Sequence, residues 1–209
     1  MAREEIKAFT KEKEIPCLLH FTHISNLESI LDKGLLSRDI VNKDIKDAET
    51  NDELRLDNHT DTISLSIGFP NSPMFYKYRN EKEGEWCVIG INKRVLWKNN
   101  VLFCKHNAAD GRMLGKSKDS LSSIDALKSM YDEGIESRAD QALKIFDPTD
   151  VQAEVLAFNE IKVEDFIGVV FPSRAAKKRY KDLLGELQGK VHPGVKGYFA
   201  NRTYHRMYG

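Results

Sequence analysis

The chain has 209 residues, of which 32 are Lys or Arg and 32 are Asp or Glu, so its formal net charge at neutral pH is zero. With 41% hydrophobic and 31% charged residues, the composition is typical of a globular chain and excludes a disordered one. The length suits one domain over residues 1–209. No apolar run approaches the roughly 20 residues that cross a bilayer, so we expect no membrane span.

The cysteines and the start of the chain bear on the compartment. Cys17, Cys87 and Cys104 are scattered and form no CxxC pair, which argues against a disulfide framework and against a zinc site. The first residues lack the apolar stretch of a signal peptide. We therefore predict a cytoplasmic protein without a bound metal.

The predicted elements begin with a strand over 17–23, which leads directly into a helix. Ser25 with Glu28 has the spacing of a capping box, and Gly34 stands where a left-handed C-terminal cap belongs. The polar, acidic segment 38–61 is predicted as a loop with one helical turn, and alternation of apolar and polar residues predicts a strand over 63–67. A helix then opens over 74–78.

Further short apolar runs predict four more strands, over 86–91, 101–104, 154–158 and 166–171. The long segment 105–150 is predicted as a loop with one helix over 120–131. Ser173 is a candidate N-cap for a basic helix that continues to about residue 187, within a basic helix-and-tail segment over 173–209. Because short strands outnumber long helices, we predict an α+β fold with a mostly antiparallel, split or curved sheet.

The segment His20-Phe21-Thr22-His23 is the first place that offers chemistry. Two histidines and a hydroxyl at the end of a strand can hold polar groups such as ribose hydroxyls. The simpler interpretation is a strand with one inward threonine and two surface histidines, and the segment alone favours it.

The pair Gln152 and Glu154 is the second such place. Strand alternation places both side chains on the same side at the mouth of a strand. A carboxylate there, below a long loop, can stabilise positive charge or accept a proton. A solvated glutamate at a strand end is the alternative interpretation.

Two weaker candidates complete the set. Arg55 lies in an otherwise acidic loop, where a surface ion pair of little energetic value is the simpler interpretation. Ser64 and Ser66 share a strand face and precede a group of aromatic residues that includes Phe75 and Tyr78. Those rings either sandwich a planar heterocycle or, at helical spacing, belong to the core.

Several common catalytic motifs are missing from the sequence. It contains no GxGxxG, GxxxxGK[ST], HExxH or GxSxG. Their absence disfavours a Rossmann dehydrogenase, a P-loop NTPase, a zincin and an α/β-hydrolase.

Taken in chain order, the motifs are more specific than any one of them. His20-x-Thr22, followed by Ile30-Leu31-x-x-Gly34-Leu35, resembles the opening of ADP-ribosyltransferase domains, and Gln152-x-Glu154 resembles the motif that closes their catalytic loop. More narrowly, the chain resembles the DarT family of DNA ADP-ribosyltransferase toxins. The resembling pieces lie within 15–171 and are Thr22–Leu27, Arg55 with His59, Ser72–Phe75 and Gln152–Leu156.

The resemblance implies transfer of ADP-ribose from NAD+, the co-substrate, to a base of single-stranded DNA, with release of nicotinamide. It also implies a toxin paired with an antitoxin that removes the modification. Glu154 matches the catalytic glutamate, and Arg55 matches the arginine beside the pyrophosphate and the reacting centre. Matches to the NAD+-binding residues are His20, Phe21, Thr22, His23, Ser64, Ser66, Met74 and Phe75.

For the DNA strand, we expect contacts from Gln152, Arg112 and Lys116, with Phe146, Tyr131 or His106 as stacking surfaces. Thymine and guanine both remain open as the acceptor base, because Ile63–Phe69 departs from the aromatic-rich strand of thymine-modifying relatives. The alternatives are an ADP-ribosyltransferase acting on RNA or protein, a non-catalytic nucleic-acid-binding module on the same fold and, more remotely, an RNA 2′-phosphotransferase.

Overall fold

The fold is described by a computed structural model for residues 2–44, 60–193 and 196–209. The helices are α1 (Ala2–Glu12), α2 (Leu27–Lys33), α3 (Arg38–Asp44), α4 (Ser72–Glu81), α5 (Val95–Lys98), α6 (Lys118–Leu121), α7 (Ile124–Ser129), α8 (Arg174–Tyr180) and α9 (Arg202–Tyr208). The strands are β1 (Leu18–His23), β2 (Leu35–Leu36), β3 (Thr62–Ile67), β4 (Trp86–Ile91), β5 (Val101–Cys104), β6 (Glu154–Phe158), β7 (Glu160–Ile161), β8 (Phe166–Phe171) and β9 (Gln188–Val191).

Within the described residues, seven strands form one sheet in the order β5-β6-β3-β1-β4-β8-β9. Neighbouring strands are antiparallel except β8 and β9, which are parallel. The short strands β2 and β7 pair separately. This arrangement confirms the predicted α+β class with a mostly antiparallel sheet.

The sheet splits between β1 and β3. Along its whole length, from Leu18 to His23, β1 pairs with β4, but its register with β3 covers Leu18 and Leu19 alone. From Thr62 to Leu65, β3 instead follows β6. At the split, His20 Nδ1 lies 3.0 Å from the Ser64 carbonyl oxygen, so the imidazole donates to the backbone there.

The two faces of the sheet carry different parts of the core. Helices α1, α5 and α7 pack beside one face, where Leu18, Leu65 and Ile89 belong to the largest apolar cluster. The other face carries Leu19 and Trp86, which pack with helix α4. The central strands β1 and β4 therefore present alternate side chains to one cluster or the other, and β4 is buried along its whole length.

The prediction of a capping box formed by Ser25 and Glu28 at the start of α2 is wrong. Ser25 lies inside a 3-10 turn over Ile24–Asn26, and Asn26 makes no side-chain cap to α2. The cause is His23, whose Nδ1 accepts from the Ser25 hydroxyl at 2.6 Å and thereby tightens the turn. The prediction at Gly34 is confirmed, since its φ of 86° is left-handed and an added Cβ would lie 2.5 Å from the Ile161 carbonyl oxygen.

Two predicted helices are shorter than expected. The helix over 120–131 is divided into α6 and α7 because the Ser123 hydroxyl caps a second helix by accepting the Ala126 N–H at 3.1 Å. The predicted N-cap Ser173 is confirmed, but α8 ends at Tyr180 and the chain then forms β9. Strand β9 is short and polar, and so lacks the apolar pattern by which six of the other strands were predicted. The two-residue strands β2 and β7 were not predicted either.

The turn from β3 into α4 is fixed by two side chains. Asn71 caps the helix by accepting the Met74 N–H at 3.2 Å, while its own N–H donates to Ser66 Oγ at 3.1 Å. Pro73 occupies the first turn of the helix, where its missing N–H costs no hydrogen bond. The side chains of Ser66 and Asn71 are both buried, so water is not a ready substitute for either bond.

We predict that Ser66→Ala lowers the free energy of unfolding by about 1–3 kcal/mol, because the buried Asn71 N–H loses its acceptor. Urea unfolding followed by circular dichroism measures the change. Ser122→Ala is the matched control, since that hydroxyl is exposed and bonds within its own turn. Equal stabilities of the Ser66→Ala and control variants would contradict the assigned hydrogen bond.

We also predict that the three cysteines resist labelling in the folded protein. Cys17, Cys87 and Cys104 are buried thiols outside any disulfide, and desolvation raises the pKa of the Cys87 thiol to about 12. A thiol reagent at pH 8 should react with the native protein negligibly and with the guanidinium-unfolded protein at all three positions. Rapid stoichiometric reaction of the native protein would show that this part of the core opens easily.

Candidate active site

Glu154 is the first residue of β6 and lies next to the split in the sheet. It pairs with Cys104 across β5, and the adjacent pair Val155 and Leu65 joins β6 to β3. Only 6% of Glu154 is exposed, and its Oε2 accepts the Ala108 backbone N–H at 2.9 Å. A buried carboxylate held by a backbone donor has a fixed orientation, as a catalytic group requires.

The register places a set of candidate side chains on one face of the sheet. Directly paired residues of antiparallel strands share a face, as do alternate residues of one strand. Leu19 pairs with Ser66, and Ser64 pairs with Leu156, two residues beyond Glu154. Ser64, Ser66, Glu154 and Phe21 therefore belong to the same face, and His20 and Thr22 to the opposite one.

A histidine and an aspartate that the sequence did not indicate as a pair lie beside Glu154. His106 Nδ1 is 2.6 Å from Asp150 Oδ2, and the other oxygen of that carboxylate accepts the Gln152 N–H at 2.8 Å. The loop after β5 and the segment before β6 are thus joined by the His106–Asp150 pair and by the bond from Ala108 to Glu154. An aspartate two residues before Gln152 is the pattern of an Asx turn, which is the sequence signal for Asp150.

The four residues of the His20–His23 segment have separate local roles. His20 spans the split to Ser64, and the Phe21 ring stacks on Phe75 with centroids 4.7 Å apart. Thr22 is buried and accepts the side-chain amide of Asn26 at 3.1 Å. His23 Nε2 is 3.1 Å from the Glu83 carbonyl oxygen, so this histidine joins the end of β1 to the loop that follows α4.

The remaining residues predicted to bind NAD+ lie around α4. Met74 is half-buried in the first turn of that helix. Phe75 is 1% exposed and packs against Trp86 and Phe199 as well as Phe21. The burial of Phe75 indicates that its ring belongs to the core, where it packs against the Phe21 ring. Arg55 and His59 lie outside the described residues.

The residues predicted to contact DNA are exposed, and their surroundings differ. Gln152 is exposed, next to the buried Glu154 strand. Arg112 donates to both carboxylate oxygens of Asp110, at 2.9 and 2.7 Å, and holds the pKa of that carboxyl well below its usual range. Lys116 is exposed at a cavity of about 420 Å³ between β5, α6 and α7.

Of the three predicted stacking residues, Tyr131 is buried against Phe9, with ring centroids 5.5 Å apart. Its hydroxyl donates to the Phe146 carbonyl at 3.3 Å, and burial raises the pKa of this tyrosine above its ordinary value. Tyr131 therefore belongs to the core, whereas His106 and Phe146 are half-buried.

Two further findings concern metals and membranes. No group of three or more His, Cys, Asp or Glu side chains within 2–44, 60–193 and 196–209 is placed to hold a metal ion. Over the same residues, no helix has both the length and the apolar character needed to cross a bilayer.

Comparison with solved structures shows the fold. The DarTG of Thermosipho africanus in complex with ADP-ribose has a TM-score of 0.62 and 16% identity, over 85% of this chain and 49% of that one. This chain thus spans about half the length of that relative. The DarT of Thermus sp. 2.9 in complex with ADP-ribosylated ssDNA has a TM-score of 0.56 and 15% identity, over 87% and 95% of the two chains. The same Thermus protein in complex with NAD+ has a TM-score of 0.53 and 15% identity, over 85% and 94%.

Comparison of the sequence shows the family. No curated protein matches the chain in sequence. The family model described as "ssDNA thymidine ADP-ribosyltransferase, DarT" matches residues 19–199, which include β1, β3, β6 and Glu154. The chain therefore belongs to the DarT family of ssDNA thymidine ADP-ribosyltransferases.

Proposed function

We propose that this chain transfers ADP-ribose from NAD+ to thymine in single-stranded DNA, with Glu154 as the catalytic carboxylate. Family membership supports the reaction, and the single observation that carries the catalytic assignment is the buried Glu154 carboxylate at the split, oriented by the Ala108 N–H. Structures of the Thermus relative with NAD+ and with ADP-ribosylated ssDNA support the two substrates.

The chemistry requires a negative group near the ribose. The N-glycosidic bond to nicotinamide breaks, and its electron pair leaves with nicotinamide, which becomes neutral. The ribose carbon then has oxocarbenium character, which a nearby carboxylate stabilises. Thymine in DNA has one ring N–H, so a new bond from that nitrogen releases a proton, which Glu154 is placed to accept.

We place NAD+ at the split, beside β1. The ladder between β1 and β3 ends at Leu19, so residues 20–23 lie at the split. We assign the carboxamide to the Phe21 backbone and polar contacts to His20 and Ser64, with Ser66, Met74, Thr22 and His23 as supporting residues. Phe75 supports the Phe21 ring by stacking on it. Arg55 is assigned to the pyrophosphate, since a guanidinium fork fits phosphate oxygens.

The DNA strand is assigned to the side of the split where Gln152 is exposed. An unpaired strand presents its bases without the cost of opening a duplex, which agrees with a single-stranded acceptor. Lys116 and Arg112 contribute positive charge for phosphates. Because Arg112 is already paired with Asp110, Lys116 is the stronger phosphate ligand of the two.

The cellular setting completes the proposal. A base modification in DNA is toxic unless it is removed, so we assign the chain a partner antitoxin that removes ADP-ribose, supported by its likeness to the DarTG of Thermosipho africanus. The three buried cysteines form no disulfide, which supports the reducing cytoplasm as the location. We also propose that residues 1–209 form one catalytic domain.

We predict that Glu154→Gln lowers the rate of nicotinamide release with NAD+ and a thymine-containing oligonucleotide at least about 100-fold. Glutamine preserves the acceptor for the Ala108 N–H and removes the charge. Intact-mass spectrometry of the oligonucleotide follows the transfer. Glu160→Gln is the matched control, an exposed carboxylate on β7, and should retain the wild-type rate. Wild-type activity in Glu154→Gln would refute the catalytic assignment, and a wild type without any adduct would refute the reaction.

We predict that Lys116→Gln weakens the apparent affinity for the oligonucleotide and leaves the apparent affinity for NAD+ unchanged. Loss of one phosphate contact should reduce the slope of log affinity against log salt by about 0.7. Fluorescence anisotropy between 50 and 200 mM salt measures the slope, with the exposed Lys11→Gln on α1 as the control. An unchanged slope would place the phosphate path elsewhere.

A further inference from the structure

Helix α9, at the far end of the described chain, is bonded to the loop that precedes β6. Arg206 Nε and Nη2 donate to the two carboxylate oxygens of Asp147, both at 2.7 Å. The Asp147 side chain is fully buried and that of Arg206 is 6% exposed. A bidentate pair fixes the relative geometry of its two side chains. Because this pair is buried, removal of either partner would leave an uncompensated charge in the interior.

A second arginine of α9 binds the next two residues of the same loop through their backbone. Arg202 Nη1 donates to the Pro148 carbonyl at 2.7 Å and Nη2 to the Thr149 carbonyl at 2.9 Å. Arg202 is buried, and desolvation lowers its pKa to about 10. Two buried cations from one helix therefore hold three successive residues, 147–149.

The same helix also contacts the end of β3. The Arg202 N–H donates to Ser72 Oγ at 3.2 Å, at the start of α4. The Arg206 guanidinium lies 5.1 Å from the Phe69 ring centroid and 5.5 Å from that of Phe146. Helix α9 thus joins the β3–α4 turn, next to Ser66, to the loop that leads into β6.

The segment between residues 147–149, which the two arginines hold, and Glu154 is short and contains several hydrogen bonds. The Thr149 N–H donates to the Met130 carbonyl at 2.8 Å. Asp150 then accepts from Gln152, contacts His106 and, through its carbonyl, accepts the Ala153 N–H at 3.1 Å. Residues 147–149 and Glu154 are thus connected by a short segment that is hydrogen-bonded at Thr149, Asp150, Gln152 and Ala153.

We propose that Arg206 and Arg202 are positioning residues for the reaction: they act through Asp147, Pro148 and Thr149 to hold Gln152 and Glu154 at the split. This inference rests on the proposed catalytic role of Glu154. Helix α9 is then part of the apparatus that sets the rate, although neither arginine contacts the carboxylate in these bonds. Because a misplacement of about 1 Å costs on the order of 100-fold in rate, a small shift of the loop is sufficient.

The test compares Arg206→Met and the conservative Arg206→Lys with wild type in nicotinamide release with a thymine-containing oligonucleotide, assayed well below the melting temperature of each variant. We expect kcat to fall at least about tenfold in Arg206→Met and less in Arg206→Lys, with KM for NAD+ within about twofold of wild type. Hydrogen exchange should show lost protection of the Lys144 and Thr149 amides, since the Lys144 N–H depends on Asp147, and intact protection in β1 and β4.

Arg94→Met is the matched control, because Arg94 also pairs with a mostly buried aspartate, Asp165, and its second bond goes to the Glu164 carbonyl. It should lower the melting temperature without the fall in kcat. If Arg206→Met fails to fold, Arg206→Lys carries the same comparison. The positioning role would be overturned if a folded Arg206 variant lost exchange protection at Lys144 and Thr149 and still had the wild-type kcat. It would also be overturned if Arg94→Met lowered kcat as much as the Arg206 variant does. An inactive wild type would instead refute the proposed function on which it rests.

Discussion

The burial of one carboxylate is the constraint on which the rest of the site depends. A charged group removed from water must receive hydrogen bonds, and Glu154 obtains one from the Ala108 backbone. That bond exists only if the loop after β5 and the segment before β6 are both fixed. The His106–Asp150 pair joins these two segments, and the arginines of α9 hold the second one at Asp147. Several elements outside the central strands therefore contribute to the orientation of a single side chain.

The split of the sheet supplies the space in which such a carboxylate is useful. An unbroken ladder between β1 and β3 would use the backbone groups of residues 20–23 for pairing. Here the ladder ends at Leu19, and the His20 imidazole bonds to the Ser64 carbonyl instead. Beyond the point where β1 stops pairing with β3, the stacked rings of Phe21 and Phe75 pack β1 against α4. The site therefore combines an oriented carboxylate with a break in the ladder between two strands, which suits a reaction in which a planar leaving group departs from a ribose.

Much of the fold was readable from local sequence patterns. Short apolar or alternating runs predict strands β1, β3, β4, β5, β6 and β8, whereas the role proposed for Glu154 rests on the resemblance of Gln152-x-Glu154 to the family motif. Strand β9 and helix α9 were missed, since Gln188–Val191 is polar and the basic segment Arg202–Tyr208 is only seven residues long. The pair of Asp147 with Arg206 joins residues far apart in the chain, and no local period indicates it. The prediction of a capping box is wrong because the Ser25 hydroxyl is hydrogen-bonded to His23, a contact that the capping-box spacing does not indicate.

The most direct measurement incubates the wild-type chain with NAD+ and single-stranded oligonucleotides that each contain one type of base, and follows each by intact-mass spectrometry. We predict one added ADP-ribose on the thymine oligonucleotide, with an equimolar amount of nicotinamide released. An adduct on the guanine oligonucleotide alone would contradict the acceptor assigned here. Release of nicotinamide without any DNA adduct would indicate RNA or protein as the acceptor. The absence of both products would contradict the catalytic role and favour a nucleic-acid-binding module.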